Sequence, residues 1–501
     1  MESLEALFSN KGQDLVPVFR ELPADLETPV SVFLKLAKTP PCFLLESVER
    51  GEQLGRYSFI GTNPYLVVQT SQDEGTIHHK QQVSKVALGI PPKGPDPLHL
   101  VQSLLAQHRV AEVPGLPRFF GGAVGYLSYD VVRFLERLPD CPEDELQLPD
   151  SIFLFTDTLV IFDHVQHKMK LVSNVPGGVD NAVAYQEAEG KIEAMLGALN
   201  GSLSSKPQIH LPGSTKDTPP LTSNFTPSQF ADMVKAAKEY ILGGDAFQIV
   251  ISQRLRRQTW AEPFSIYRAL RMLNPSPYMF YLDFGNFQLI GSSPEMLVKL
   301  EEGQAETRPI AGTRPRGRSD AEDEAIIATL LADPKERAEH TMLVDLGRND
   351  IGRVSHCGSV RVPLYMGIEK YSHVIHIVSS VLGELKKEYN AFDLLRACFP
   401  AGTVSGAPKV RSMEIIAELE GTKRGPYAGA IGYFGFSGNM DTCITIRTIV
   451  MIGDTVYLQG GAGIVADSDP MREYEETLHK IQVLEDAVCL AESWKGRGKS
   501  D

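Results

Sequence analysis

Two pairs of glutamates in this chain have the spacing that brings carboxylates to one face of a helix. Glu336 and Glu339 follow Asp333-Pro334, and Glu473 and Glu476 follow Asp469-Pro470, with Lys480 one turn further on. Acids at this spacing are commonly solvated surface. Two such pairs that converge would instead suit a hard cation. Magnesium is the natural one, because it takes one or two protein carboxylates and leaves sites for water and substrate oxygens. Such an ion would offset the charge of an anionic substrate on an acidic protein. Residues 308–318 (Arg-Pro-Ile-Ala-Gly-Thr-Arg-Pro-Arg-Gly-Arg) place four arginines, two prolines and two glycines in eleven positions. That composition fits neither an ordinary helix nor a central strand. It is either a solvated basic loop or a set of guanidinium forks that grip carboxylates.

Other segments offer further groups to an anion. Residues 459–464 read Gln-Gly-Gly-Ala-Gly-Ile after a strand, so bare N–H groups there form either a carboxylate cradle or a tight turn. Residues 401–411 begin as a loop and enter a helix near Pro408, presenting Thr403 and a helix N-terminus. His373 and His376 lie three apart in a strand-like run and face opposite ways, which disfavours a two-histidine metal clamp. Each is either a packed core histidine or, more readily for His376, an acid/base group.

The elements that must position these residues are strands and helices without regular alternation. That pattern predicts an α+β fold with large antiparallel sheets in place of a doubly wound one. Residues 1–22 read as a leading helix and connector, 29–37 as a helix, and 42–48, 56–61, 65–70 and 119–130 as strands. Residues 152–163 and 169–173 read as a strand pair, and 181–199 as an amphipathic helix. Residues 201–225 are rich in Ser, Pro, Gly and Thr and mark a linker or surface excursion. They divide an N-terminal domain, 10–175, from a second domain, 226–491. Thr226-Pro227, with Gln229 three residues after the cap, signals a helix start. A strand at 247–257, a helix at 263–273 and a hairpin around Gly285-Asn286 follow.

The bulk numbers exclude several classes. A chain of 501 residues with 43% hydrophobic and 22% charged residues is an ordinary folded protein, large enough for two domains. A net charge of −14, with no long basic run to offset it, disfavours a general nucleic-acid binder. Six cysteines without a C-x-x-C pair suit a reducing compartment and give no support for zinc. With no signal peptide and no long apolar run, the expectation is a cytoplasmic protein that neither spans nor binds a membrane.

Five motifs in order carry a resemblance to a known family: Ser293-Pro-Glu, the Pro309-Ile-Ala-Gly-Thr-Arg-Pro-Arg-Gly segment, Glu339-His-Thr-Met-Leu-Val-Asp-Leu-Gly-Arg-Asn-Asp, Gly402-Thr-Val-Ser-Gly-Ala-Pro-Lys and Gly461-Ala-Gly-Ile-Val. Together they resemble the chorismate-utilising enzymes, and within them the large, synthase subunits of anthranilate synthase. The likeness is dense over 226–491 and thinner over 10–175. It implies a composite of large antiparallel sheets flanked by helices, an α/β/β/α sandwich. It also implies a lyase that makes anthranilate and pyruvate from chorismate and ammonia, the first committed step of tryptophan biosynthesis.

The residue roles it implies are these. Glu339 and Glu476 resemble magnesium ligands, with Glu336 and Glu473 assisting directly or through water. Gly312, Thr313, Tyr427, Arg447, Gly461, Ala462 and Gly463 resemble the groups that hold the substrate's carboxylates and ring. Thr403 and Lys480 match active-site positions, Glu295 the acid for the departing 4-hydroxyl, and His376 the histidine linked with pyruvate elimination. Glu46 and Ser47 resemble the head-group ligands of a tryptophan feedback site, with Pro277, Tyr278 and Met279 framing the indole.

Two positions separate members of the family. Ala311 stands where aminodeoxychorismate synthases carry a nucleophilic lysine, so ammonia must attack directly. Gln248 stands where isochorismate and salicylate synthases carry a lysine base that activates water, and an amide is a poor base. No Gly-x-Cys-x-Gly nucleophile motif occurs, so glutamine-derived ammonia is expected from a separate glutamine amidotransferase subunit, in a heterotetramer of two large and two small chains. The alternatives are an aminodeoxychorismate synthase large subunit and a non-catalytic tryptophan-binding relative.

Overall fold

The computed structural model describes residues 13–47, 55–89, 95–110, 114–139, 143–176, 181–202, 219–370 and 374–495. His373, residues 1–12 of the expected leading helix and residues 203–218 of the expected linker lie outside them.

Local chemistry decides where the helices start. Helix Pro227–Leu242 opens with a full capping box, in which Thr226 accepts from the Gln229 N–H and the Gln229 side chain accepts from the Thr226 N–H. Helix Pro334–Gly352 has proline at its first position, and the Asp333 carboxylate caps the N–H groups of Lys335 and Glu336. Helix Lys409–Glu420 stops at Gly421, whose φ of +59° is the left-handed closing turn that suits glycine.

Among the described residues the strands form two sheets, of 13 and 12 strands. Pairing is antiparallel almost throughout; Gln13–Pro23 runs parallel to His108–Val110. The order within the first sheet takes in Gln248–Gln258, Thr455–Ile464, Thr448–Ile452, Phe287–Ser293, Tyr278–Asp283, Cys42–Glu46 and Tyr57–Thr62. The second includes Ile310–Pro315, Val374–Glu384, Met296–Glu301, Met440–Ile444, Ala430–Gly435, Gly122–Leu127 and Ser151–Thr156. Strands from before residue 176 therefore pair with strands from after residue 226 in both sheets, at Glu46↔Met279 in the first and Gly125↔Gly432 in the second.

The sheets pack face to face. Phe43, Phe59, Phe280 and Phe287 of the first meet Val124, Tyr126, Leu154 and Tyr433 of the second in one buried cluster. Helices Pro29–Leu36, Asn181–Leu199, Pro263–Leu273 and Pro470–Lys495 bury their apolar faces on the outside of the first sheet. Pro97–Leu105, Pro334–Gly352 and Ala391–Cys398 do so on the second. This is the α/β/β/α sandwich, an α+β fold.

Three local expectations are corrected. Residues 13–23 are a strand and not a helix: Leu15 and Pro17 are buried with Val16 exposed between them, a period of two, and Pro17 would break a helix. Residues 152–163 are not one strand. Ser151–Thr156 pairs with Gly122–Leu127 in the second sheet, and after Asp157 the chain crosses to pair with Tyr57–Thr62 in the first. Residues 459–464 are not a turn but the end of the long strand Thr455–Ile464, opposite residues 249–254.

Candidate active site

Glu295 sits where the chain leaves the Phe287 strand of the first sheet and enters the Met296 strand of the second. Its carbonyl accepts the Ile444 N–H at 3.1 Å, which pins the crossing. The side chain is buried, and burial pushes its carboxyl up to about 8, against a partial downward pull from the Thr403 hydroxyl and the Lys480 charge. Thr403 faces Glu295 closely enough to be felt, yet its buried hydroxyl has no well-aligned partner. At neutral pH Glu295 is thus a protonated acid beside the Thr403 hydroxyl, in a cleft walled by Thr307, Pro309, Leu346 and Gly402.

The acids on the two helices converge beside it. Burial raises the Glu339 carboxyl, and the charges of Glu336 and Glu476 raise it further. Gln248 tempers this by donating from Nε2 to Glu339 at 3.1 Å. Burial and then the Glu476 charge also raise Glu473, against the Ser468 hydroxyl and the charges of Lys335 and Lys480. Two of the four acids have cationic partners: Glu336 pairs with Arg314 at 2.9 Å, and Glu476 with Lys480 at 2.6 Å. Among the described residues no three His, Cys, Asp or Glu side chains form a ready cage for an ion. Mutually repelling carboxylates on two helices fit a cation that takes few protein ligands and completes its shell with water and substrate.

Arg447, half-buried and at φ +50°, lies near Tyr427, Glu476 and His376, and its guanidinium has no hydrogen bond or ion pair among the described residues. Burial pulls its pKa down, and nearby Tyr427 and Glu476 hold it up. His376 is buried and pushed down to about 4, first by burial and then by the Arg447 charge, so it is neutral at physiological pH. Its strand neighbour Ile310–Pro315 bulges at Gly312, where φ is +64° and the register slips between Ala311 and Thr313. A Cβ on Gly312 would stand 3.1 Å from the Glu336 carboxylate.

The glycines of the Thr455 strand are required by close approach. A Cβ on Gly461 would come within 2.7 Å of the Tyr427 hydroxyl, and one on Gly463 within 2.7 Å of Gln248 Nε2. Ala462 is fully buried between them, and Lys480 Nζ donates to the Gly461 carbonyl at 2.9 Å.

Residues 40–486 match the chorismate binding enzyme family. The chain belongs to that family. This chorismate-binding enzyme is 48% identical over 482 residues to anthranilate synthase component 1 of Acetivibrio thermocellus, covering 95% of this chain and 96% of that protein. It is 48% identical over 486 residues to the Aquifex aeolicus component 1, covering 96% of each. Anthranilate synthase component I from Streptococcus pneumoniae superposes with a TM-score of 0.75 at 35% identity, over 92% of this chain and 98% of that one. The menaquinone-specific isochorismate synthase MenF of Escherichia coli, with a TM-score of 0.71, 19% identity and coverage of 97% and 98%, shares the fold. The chain is thus a chorismate-utilising enzyme, similar along its length to the component 1 lyases.

In this chorismate-binding enzyme three of the four arginines of 308–318 are paired with acids of the chain itself. Arg308 pairs with Glu369, Arg314 with Glu336 and Arg316 with Asp323. Arg447, whose guanidinium has no ion pair among the described residues, lies 129 residues after Arg318, and no local signal ties it to that stretch. Gln248 and Arg314, each bonded to one of the paired acids, were not among the expected site residues; Arg314 belongs to the conspicuous basic segment, whereas Gln248 had no signal for this contact.

A second cavity, of about 390 Å³, lies on the seam between the two sheets and brings Glu46, Ser47, Pro277, Tyr278 and Met279 together. The Ser47 hydroxyl is buried without a partner. The Glu46 carboxylate accepts from the Tyr267 hydroxyl at 2.5 Å and from Arg271 Nε at 2.9 Å, so its oxygens are engaged within the chain. Arg118 and Asp441 complete the wall unforeseen, with Tyr278 donating to Asp441 at 2.9 Å and Arg118 at 3.2 Å.

Proposed function

We propose that the chain converts chorismate and ammonia to anthranilate, pyruvate and water. The observation that carries this is Glu295, a buried carboxyl group beside Thr403 and Lys480 that keeps its proton to about pH 8. Arg447, Tyr427 and the N–H groups of Gly461–Gly463 would hold one substrate carboxylate and the ring. Glu339 and Glu476, helped by Glu336 and Glu473, would hold a magnesium ion. When bound, that ion supplies positive charge to offset and orient the ring carboxylate.

Ammonia adds at ring carbon 2, and Glu295 gives its proton to the 4-hydroxyl, which leaves as water. Loss of the proton at carbon 2 then breaks the bond to the enolpyruvyl oxygen and restores the aromatic ring. His376, neutral at physiological pH, is the group suited to carry a proton in that elimination. Ala311 offers no amine for a covalent route, and Gln248 is engaged with Glu339 and is no base for water, which favours ammonia. Ammonia would come from a separate glutamine amidotransferase subunit, and L-tryptophan in the seam cavity would inhibit.

The test is the purified chain with chorismate, magnesium and excess ammonium, followed by anthranilate fluorescence. A rising signal abolished by chelation is expected. Accumulation of an aminated intermediate that retains its enolpyruvyl group would replace the reading with aminodeoxychorismate synthesis.

A further inference from the structure

Behind the candidate site lies an ion pair that the reaction does not use. Glu420 ends the Lys409–Glu420 helix and Arg424 lies four residues on, beyond its Gly421 cap, with side chains 2% and 1% exposed. Arg424 is the bulkiest fully buried side chain among the described residues. Its guanidinium donates to both Glu420 oxygens, at 2.9 Å from Nε and 2.6 Å from Nη2, and the remaining bonds go to main chain. Nη1 reaches the Val404 carbonyl at 2.7 Å, and Nη2 reaches the Val250 carbonyl at 2.6 Å. The plane lies over the rings of Tyr129 and Tyr427, at 4.7 and 5.8 Å from their centres. Glu420 in turn accepts from the Ser252 N–H at 2.7 Å and from its hydroxyl at 2.9 Å, and that hydroxyl accepts from Gln459.

All but the Tyr129 contact end next to a residue of the cleft. Val404 follows Thr403; Val250 and Ser252 belong to the strand that carries Gln248; Gln459 precedes the glycine cradle; Tyr427 touches that cradle itself. A buried ion pair adds little stability over well-packed apolar residues of the same volume. What it adds is geometry, because a planar fork fixes several acceptors at once in a way a lysine point charge cannot. We propose that Glu420 and Arg424 are positioning residues. The pair locks the Thr403 turn, the Gln248 strand and the Tyr427 ring into one rigid wall of the substrate cleft. The reaction this wall serves is the one proposed above.

The test compares wild type with Arg424→Lys and Glu420→Gln in the full chain, by amide hydrogen exchange and by ammonium-dependent turnover. In both variants exchange is expected to quicken at 402–407 and 249–252, while the distant Tyr57–Thr62 strand keeps wild-type protection. The fall in kcat/KM should be about tenfold to a hundredfold, the cost of displacing cleft groups by an ångström or less. Added guanidinium should restore part of the turnover of Arg424→Ala. Wild-type protection at 402–407, loss of protection spread evenly over the chain, or local opening with unchanged turnover would each overturn the proposal. If the wild type itself turns over no chorismate, the proposed reaction falls, and the exchange pattern alone decides whether the pair organises the wall.

Discussion

A carboxyl group that holds its proton to about pH 8 can act as an acid at physiological pH, but burial has a cost that appears elsewhere. Glu295 is raised from the ordinary 4.5 to about 8, so the folded chain holds a proton there that the unfolded chain releases. Stability from this group is therefore full below about pH 4.5 and is lost as pH rises through about 8. Glu295→Gln should abolish turnover, by about a hundredfold to ten-thousandfold. It should also unfold at a higher temperature than wild type at pH 9 and not at pH 5, a difference with a ceiling of about 5 kcal/mol. Thermal unfolding at the two pH values checks this. Turnover by wild type should fall as pH passes about 8, opposing the growing supply of free ammonia, so an ammonium-driven profile has a maximum. The types and order of these residues were legible in the sequence, since motifs record which side chains are present. Their charge states were not, because burial and the company of Arg447, Thr403 and Lys480 come from chain segments far apart.

Among the elements, the Pro334–Gly352 helix carries two of the four acids, and its first turn is set by one cap. Asp333→Ala should cost about 1 kcal/mol in thermal or denaturant unfolding. It should also weaken magnesium dependence, because the turn it releases bears Glu336. Gly312→Ala confronts both a left-handed φ of +64° and a carboxylate 3.1 Å from the new methyl. It should cost about 1–2 kcal/mol and raise the magnesium needed for half-maximal turnover. Helix starts at Pro227, Pro263, Pro334 and Pro470 could be read because cap and proline signals are local. The strands at 13–23 and 152–163 differ from the expectation for the opposite reason: their pairing is with segments remote in sequence, residues 168–176 for the first and 66–70 and 57–60 for the two parts of the second.

In the whole molecule, the seam cavity is walled by both halves of the chain, by Glu46, Ser47 and Arg118 from one and Tyr278, Met279 and Asp441 from the other. Ser47→Phe places a ring in a space of about 390 Å³. It should silence a calorimetric titration with L-tryptophan while leaving ammonium-dependent turnover intact. The purified chain should use ammonium and not glutamine, and adding an amidotransferase partner should reverse that preference. Among the described residues no helix is long and apolar enough to cross a membrane.

The interleaving of early and late strands in both sheets also bears on what holds the polypeptide together. Its two regions are joined less by the covalent thread between them than by the ladders at Glu46↔Met279 and Gly125↔Gly432 and the aromatic layer between the sheets. A single cut at any bond from 203 to 218 would sever the thread and spare every one of those ladders. Two fragments made that way should travel as one particle through a sizing column, and separately produced halves should find each other and restore a working cleft.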